Sequence, residues 1–162
     1  MRYKSVPLPR SVDELLEIRD AVPLVPKNQE DCCSRIATRT TVAGRDSARE
    51  WLTFLRALGF VSRGDRGFYR IRTPPDRDAV AERFREHVFG AREILTAASH
   101  EGEIDDESAF EALRESVPRW ERHHHDNWER TWRERTRRLL DWGVIFGILE
   151  ADGDERYRAV GD

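Results

Sequence analysis

The chain carries one pattern twice, and this pattern restricts its possible folds more than any other feature. An amphipathic helical segment ends at a glycine and a short hairpin follows at once: LRALGFV (55–61) precedes FYRI (68–71), and LLDWGVI (139–145) precedes RYRAV (156–160). An amphipathic helix must bury its apolar stripe, and a lone two-stranded hairpin is barely stable by itself. The pattern therefore predicts a mainly α protein with small β-hairpins, an α+β fold of two similar units at residues 1–75 and 76–162.

The first half of the sequence predicts three helices before its hairpin. Ser11 with Glu14 has the capping-box signature of a first helix, and Asn28 is a suitable cap for a second. A third helix is expected from Asp46 to Gly59, because glycine readily adopts the left-handed conformation that follows a helix end. The apolar face of the first helix is predicted to contain Val12, Leu15, Leu16 and Ile18. The face of the third helix has the spacing i, i+3, i+4 and i+7: Trp51, Phe54, Leu55 and Leu58.

The second half repeats this order with longer elements. A helical pattern covers residues 78–98, and Gly90 is expected to kink it or split it. A long helical stretch over 119–142 is predicted to break near Asp126 and to end at Gly143. Its side chains that are expected to face inward are Trp128, Trp132, Leu139 and Trp142.

Charge is distributed unevenly along the chain. The 28 basic and 31 acidic residues give a net charge of −3, but residues 35–72 sum to +6 and residues 76–118 to −7. Lys4 and Lys27 are the only lysines among the basic residues. This arginine bias, with abundant Asp, Glu, Val and Thr, is typical of a GC-rich genome and indicates a salt-loving archaeon or an actinobacterium. A basic zone within an acidic chain favours an anionic partner.

The order helix, helix, turn, helix and hairpin, present twice, resembles the winged helix-turn-helix family. The resemblance covers residues 11–72 and 78–160, and its clearest part is the Leu58–Gly59–Phe60 step into a glycine-tipped hairpin. Proteins with two such units of this size include transcription regulators and protein-interaction adaptors. The resemblance therefore implies two winged helix-turn-helix units in tandem and one of these two functions.

In winged-helix proteins the third helix usually enters the major groove, and the hairpin lies over the DNA backbone or the minor groove. The resemblance therefore implies DNA contacts from Thr40, Thr41, Arg45, Ser47, Arg49, Thr53, Arg56, Arg63, Arg66 and Arg70. Four of these, at i, i+4, i+8 and i+11 from Arg45, form a stripe opposite the apolar face, and arginine pairs with guanine or phosphate. The same stripe is also compatible with a solvated helix face that has no partner.

The second unit differs in charge. Arg130, Arg133 and Arg137 are candidates for secondary phosphate or partner contacts, but the hairpin tip EADGDE (150–155) would repel DNA. The second unit is therefore expected to provide homodimer or protein-partner contacts. The sequence favours a protein that binds double-stranded DNA through its first unit, as a transcriptional regulator or a chromosome-associated factor. A protein-interaction adaptor without nucleic-acid binding is the alternative, and the acidic segments 101–107 and 150–155 favour it.

Catalysis, a cofactor and a metal site are not expected. The sequence has no P-loop, dinucleotide-binding, serine-hydrolase or zinc-protease motif. The three histidines of RHHHD (122–126) would point about 100° apart on a helix and cannot all bind one ion. The adjacent Cys32 and Cys33 lack the spacing of a zinc site. Without a signal peptide or a long apolar run, we expect a cytoplasmic protein that does not contact membranes.

Overall fold

The computed structural model describes residues 2–4, 6–124 and 126–160, and the chain divides into two compact units, Met1–Val88 and Phe89–Asp162. The elements of the first unit are α1 (Val12–Asp20), α2 (Gln29–Arg39), α3 (Arg45–Leu58), β1 (Val61–Gly64), β2 (Gly67–Arg70) and α4 (Arg77–His87). Those of the second are α5 (Ala91–Glu101), α6 (Asp106–Arg114), α7 (Arg119–His124), α8 (Trp128–Ile145), β3 (Leu149–Ala151) and β4 (Tyr157–Ala159). The predicted mainly α fold with small hairpins is confirmed. Among the helices described, none combines the length and the apolarity that crossing a membrane requires.

A third, one-residue strand joins the hairpin of the first unit. β1 and β2 are antiparallel, and Gly64 lies opposite Gly67 at their turn. Lys27, between α1 and α2, pairs with Phe68 in β2. The Lys27 amide donates to the Phe68 carbonyl at 3.0 Å, and the Phe68 amide donates to the Lys27 carbonyl at 2.7 Å. The chain order of this unit is therefore helix, strand, helix, helix and hairpin, followed by α4.

Side chains and a glycine set the helix ends of the first unit. The Ser11 hydroxyl accepts a hydrogen bond from the Glu14 amide at 3.2 Å, and the Asn28 side chain accepts one from the Asp31 amide at 2.8 Å. Gly59 ends α3 in the left-handed conformation, with a φ of 89°. Both predicted N-caps and the predicted end of α3 are confirmed, because short-range interactions decide them.

The start of α3 differs from the prediction. Its N-cap is Gly44, with a φ of 85°, and its first residue is Arg45, so Asp46 lies inside the first turn. The residue before α3 has a positive φ, which glycine adopts at low cost. The prediction chose Asp46 because aspartate is a preferred N-cap residue, and residue type does not report the backbone angle. Within the first turn, the Asp46 carboxylate interacts favourably with the positive end of the helix dipole.

The apolar face of α3 forms the centre of the core of the first unit. Trp51, Phe54, Leu55 and Leu58 are buried as predicted, and the Trp51 and Phe54 rings meet edge-on with their centroids 6.0 Å apart. Val12, which was also predicted to face the core, is instead 43% exposed. It is the first residue of α1, so no preceding helical turn covers it.

The helix predicted over residues 78–98 is two helices. α4 ends before Val88, and Gly90, with a φ of 91°, is the cap from which α5 begins. α4 packs against α3 within the first unit, so the compact units divide after Val88 rather than between residues 75 and 76. Helical periodicity identifies the apolar stripe of each helix but does not show which unit covers it.

The second unit has the helix, strand, helix, helix and hairpin of the first, with the additional helix α7 between α6 and α8. Ile104 lies between α5 and α6 and pairs with Tyr157 in β4, as Lys27 pairs with Phe68. β3 and β4 are antiparallel. Tyr157 therefore has the position in the second unit that Phe68 has in the first.

α8 does not end at Gly143, where its end was predicted. The helix continues to Ile145, and the chain turns at Gly147 with a φ of 76°. A Cβ atom on Gly143 would lie 2.8 Å from the Leu149 Cδ1, so this glycine allows β3 to approach α8 closely. A glycine within a helical pattern thus marks either an end or a close contact, and the sequence does not separate the two.

α7 and α8 are separate helices, and the predicted break near Asp126 is confirmed. Trp132 in α8 is buried, and its indole nitrogen donates to the Glu121 carboxylate of α7 at 2.8 Å. Trp128, which was predicted to face inward, is half-buried, and Trp120 is 55% exposed. The buried indole of Trp132 therefore has, in Glu121, the hydrogen-bond partner that a buried N–H group needs.

Candidate nucleic-acid interface

The outer face of α3 carries the polar stripe that the sequence predicted. Arg45, Arg49 and Thr53 follow each other at intervals of four residues and lie within about 80° of arc around the helix. Arg45 and Arg49 are exposed, and Thr53 is half-buried. Asp46 and Glu50 border one side of the stripe. The first two turns of α3 therefore present a basic strip with one acidic edge.

The charge of this stripe is only weakly neutralised. The Arg45 guanidinium lies 3.4 Å from the Glu30 carboxylate, but the two side chains are 71% and 75% exposed. Exposed ion pairs of this kind contribute about 0–1 kcal/mol, so a different anion can replace Glu30 at low cost. Arg49 is exposed on the same face. Both arginines can therefore reach an anionic partner.

The tip of the first hairpin presents an exposed arginine. Its turn consists of Asp65 and Arg66, between Gly64 and Gly67, and Arg66 is exposed. Arg63 precedes this turn, and its guanidinium lies 5.5 Å from the centre of the Phe68 ring. The hairpin thus holds one arginine at its tip and another along its flank.

Arg70 is tied to α1. Its guanidinium donates to the Asp20 carbonyl at 3.1 Å and to the Asp20 carboxylate at 3.3 Å, and its side chain is 22% exposed. Arg19 of α1 donates in turn to the carbonyls of Ile71 and Arg72, at 2.6 and 3.0 Å. These two arginines fasten β2 and the residues after it to the end of α1. The structure therefore gives Arg70 a role in the fold.

Replacing Arg70 with methionine is expected to lower the free energy of unfolding by about 1–2 kcal/mol, because the hydrogen bonds to Asp20 are lost. Arg66→Met, the same change at the exposed hairpin tip, should stay within about 0.5 kcal/mol of the wild type. Urea unfolding followed by circular dichroism measures both variants. Equal stability of the two would show that the contact between Arg70 and Asp20 does not hold the hairpin in place.

The two threonines at the turn between α2 and α3 are engaged within the unit. The Thr40 hydroxyl donates to the Ile36 carbonyl at 2.6 Å and accepts from the Val42 amide at 3.1 Å. The Thr41 hydroxyl accepts from the Arg10 guanidinium at 2.5 Å. Thr40 therefore closes the end of α2, and Thr41 is held at the surface.

Two further residues of the predicted interface lie away from the exposed stripe. Ser47 is exposed but sits about 160° around α3 from both Arg45 and Arg49. Arg56 is half-buried in the last turn of α3, with its guanidinium 5.7 Å from the centre of the Tyr3 ring. The structure thus brings the first two arginines of the stripe together with Thr53 and places Ser47 on another side of α3. Arg56 lies in the angular sector of the stripe, one turn beyond Thr53, but it is half-buried and about 16 Å along the axis from Arg45.

Two arginines of α8 are paired with carboxylates within the second unit. Arg133 donates two hydrogen bonds to the Glu107 carboxylate, one of them 3.1 Å long, and Arg137 donates to Asp106 at 2.6 Å. The hydrogen bond from Arg133 lowers the pKa of Glu107, and the carboxylates raise the pKa of both arginines. Arg130 is exposed. Acidic residues in the first turn of α6 therefore already pair with two of the three arginines considered for phosphate contacts.

The repeated order of elements agrees with a comparison of the sequence with known families. The family model of the halobacterial double winged helix domain matches residues 1–161. The chain belongs to this family. The tandem winged-helix architecture is thereby confirmed, and we refer to Met1–Val88 and Phe89–Asp162 as the first and second winged-helix units. No curated protein and no solved structure matches the chain significantly.

Arg10 supports the first winged-helix unit, although the sequence pattern did not single it out. Besides its hydrogen bond to Thr41, its guanidinium lies 6.0 Å from the centre of the Trp51 ring and 3.7 Å from the Glu14 carboxylate. It thereby fastens the segment before α1 to α3 and to the turn that precedes α3. Arg10 lies outside any periodic segment, so helical periodicity does not predict its role. The sequence feature that points to it is its position directly before the Ser11 cap.

The thiols of α2 belong to the core of the first winged-helix unit. Burial raises the pKa of Cys32 to about 11 and raises the pKa of Cys33 above its ordinary value. Both thiols are therefore protonated at neutral pH. In the part of the chain that the structure describes, no three His, Cys, Asp or Glu side chains are grouped as ligands of a metal ion. Of the histidine triplet, His125 lies outside the described residues.

Proposed function

We propose that the first winged-helix unit binds double-stranded DNA, and that the chain acts as a transcriptional regulator or a chromosome-associated factor. One observation carries this proposal: α3 exposes Arg45 and Arg49 on a single face, where Arg45 has only a loose, exposed ion pair with Glu30. Arg133 and Arg137 of the corresponding helix α8 instead donate hydrogen bonds to the carboxylates of Glu107 and Asp106. The winged-helix family supports a fold of the DNA-binding regulator type. Because a fold alone does not determine function, the proposal rests on the surface of α3.

The proposed contacts follow from the geometry of α3 and of the first hairpin. α3 lies in the major groove, where Arg45 and Arg49 each donate to a guanine edge or to a phosphate. Arg66 at the hairpin tip holds a backbone phosphate, and Arg63 on the flank provides a second contact of this kind. The pair between Arg45 and Glu30 opens on binding at small cost, because both side chains are exposed.

We propose that the second winged-helix unit contacts protein, either a second copy of the chain or a different partner. Four exposed acidic residues lie at its hairpin tip: Glu150, Asp152, Asp154 and Glu155. DNA phosphates would repel them, and the α8 arginines next to α6 are already neutralised. If the contact is a homodimer, the DNA target is expected to be palindromic.

The proposed activity is binding and not catalysis. Winged-helix domains are typically binding modules, and we propose a cytoplasmic protein that uses no cofactor. The acidic hairpin tip of the second unit supports one alternative, a protein-interaction adaptor that does not bind nucleic acid. The two functions differ in whether duplex DNA binds at all.

Fluorescence polarisation of labelled duplex DNA with the full chain tests the proposal, at potassium chloride concentrations where circular dichroism shows a folded protein. We expect a dissociation constant that rises steeply with salt, because arginine contacts to phosphate release counterions. Arg66→Gln should weaken binding to unrelated duplexes equally and lower the logarithmic salt slope by about one. Arg92→Gln, which removes the same charge from an exposed position on α5, should change neither quantity.

The outcome distinguishes the two functions. Absence of duplex binding at every salt concentration where the protein is folded would contradict the DNA-binding proposal and favour the adaptor. Binding with an unchanged salt slope for Arg66→Gln would exclude the hairpin tip from the interface. The Arg92→Gln control separates both outcomes from a general effect of net charge.

A further inference from the structure

A second basic surface lies at the other end of α3, in a cleft of about 400 Å³ that we call the basic cleft. Its walls are the last turn of α3, the start of β1 and α4, all within the first winged-helix unit. Four of its lining side chains are basic: Arg56, Arg63, Arg83 and His87. None of the ten residues described in its lining is acidic. The cleft thus gathers positive charge without a carboxylate in its wall.

Arg83 is held in the basic cleft by the end of α3. Its Nε donates to the Ala57 carbonyl at 3.1 Å, and its Nη2 donates to the Arg56 carbonyl at 3.4 Å. A Cβ atom on Gly59 would lie 2.7 Å from the Arg83 Cδ, so the glycine that ends α3 also makes room for this arginine. These contacts position the guanidinium against neutral carbonyl groups, and its positive charge is retained.

Aromatic rings position the other two arginines of the cleft. The guanidinium of Arg56 lies 5.7 Å from the centre of the Tyr3 ring, and that of Arg63 lies 5.5 Å from the centre of the Phe68 ring. Tyr3 is itself fixed, because its amide donates to the His87 carbonyl at 2.6 Å. A cation–π contact orients a guanidinium and leaves its N–H groups able to donate to a further acceptor.

The charge in the basic cleft is complementary to an anion. Like charges gathered in one cleft repel each other, and an anion between them removes this repulsion. The second unit places carboxylates beside its arginines, with Glu107 at Arg133 and Asp106 at Arg137. The basic cleft differs from this arrangement. Its His87 lies 3.8 Å from the carboxylate of Glu86, but Glu86 does not line the cleft.

We propose that the basic cleft binds the phosphate group of a small ligand, such as a phosphate ester. Guanidinium groups recognise phosphate oxygens through paired N–H donors, and the Ser62 hydroxyl in the wall adds a neutral donor. The cleft volume falls within the range of small-molecule sites, about 300–1,000 Å³. Arg56 is half-buried and lies about 16 Å along α3 from Arg45, so the cleft is separate from Arg45 and Arg49, and it shares Arg63 with the proposed hairpin contacts.

Inorganic pyrophosphate is the probe for this site, and its binding does not depend on whether the unit binds DNA. Isothermal titration calorimetry of the full chain, at the lowest potassium chloride concentration that keeps the protein folded, should show one binding site. We expect the amide NMR signals of Gly59, Ser62 and Arg63 to shift on binding. Arg56→Gln should raise the dissociation constant for pyrophosphate about tenfold, because charge-assisted hydrogen bonds are lost. Arg66→Gln, the same change outside the cleft, should keep the wild-type value.

DNA affinity then separates the two possible sources of the phosphate group. Weaker pyrophosphate binding by Arg56→Gln together with wild-type DNA affinity supports a small-ligand site. A loss of DNA affinity equal to that of Arg66→Gln would assign the cleft to the DNA backbone and overturn the proposal. A wild-type protein that binds no pyrophosphate, or equal weakening by Arg56→Gln and Arg66→Gln, would also overturn it. Arg83→Gln, at a cleft residue that is not part of the proposed DNA interface, replaces Arg56→Gln if circular dichroism shows that the latter is unfolded.

Discussion

Duplex-DNA binding is expected to weaken at least about a hundredfold when the charges of Arg45 and Arg49 are reversed together, as Arg45→Glu/Arg49→Glu. Each arginine contributes a contact worth about 1–3 kcal/mol in a groove, and each glutamate adds repulsion from the phosphates. The fold should persist, because both side chains are exposed and the pair with Glu30 contributes little to stability. Fluorescence polarisation gives the affinity, and circular dichroism confirms the fold.

A double variant of the second winged-helix unit is the control for this result. Arg92→Glu/Arg158→Glu changes the net charge equally at two exposed positions, on α5 and on β4. It should reduce affinity only slightly, through the long-range field of the protein. An equal loss in both double variants would show that net charge, and not the α3 stripe, controls binding. Wild-type affinity of Arg45→Glu/Arg49→Glu would exclude α3 from the interface altogether.

Three helix ends of the first unit and the buried face of α3 could be predicted from the sequence because neighbouring residues decide them. Ser11 and Asn28 cap their helices through amides three positions ahead, and Gly59 ends α3 in the one conformation that glycine favours there. The period of 3.6 residues fixed which side of α3 is buried, and therefore which side carries Arg45 and Arg49. This part of the candidate interface was thus accessible without a structure.

The roles of single arginines could not be predicted in the same way. Arg66 and Arg70 are the same residue type and lie close together in the sequence. Arg70 nevertheless pairs with Asp20, which lies 50 residues earlier in the chain. Arg133 likewise pairs with Glu107, 26 residues away. Such pairs depend on how the helices pack, and no periodic pattern encodes them.

The basic cleft was inaccessible to sequence analysis for a related reason. Its arginines come from α3, β1 and α4, and residues 76–87 were assigned to the second unit by sequence pattern. Arg83 becomes part of the cleft because α4 packs on α3 and because Gly59 leaves room for its side chain. Arg83 lies in residues 76–118, whose net charge is −7, so the net charge of chain segments does not indicate a basic site there.

The substitution Gly67→Ala is expected to lower the free energy of unfolding of the first winged-helix unit by about 3–5 kcal/mol. Gly67 has a φ of 123°, and a Cβ atom there would lie 2.2 Å from the Lys27 carbonyl oxygen and 2.6 Å from the carbonyl carbon. These are backbone atoms that cannot rotate away, so the pair between Lys27 and Phe68 must separate and lose hydrogen bonds of 2.7 and 3.0 Å. The positive φ adds conformational strain for any residue with a Cβ atom.

Gly44→Ala is the matched control, because Gly44 also has a positive φ, 85°, but a Cβ atom there would meet nothing within 4 Å. It should lose only about 1 kcal/mol, so the difference between the variants measures the contact of Gly67 with Lys27. Amide hydrogen exchange in peptides from α2, α3 and the hairpin reports the first unit separately from the second. Equal stability of the two variants would contradict the one-residue strand at Lys27. Since that strand holds the hairpin beside α2, Gly67→Ala should also weaken DNA binding through Arg66, whereas Gly44→Ala should leave the hairpin contact unchanged.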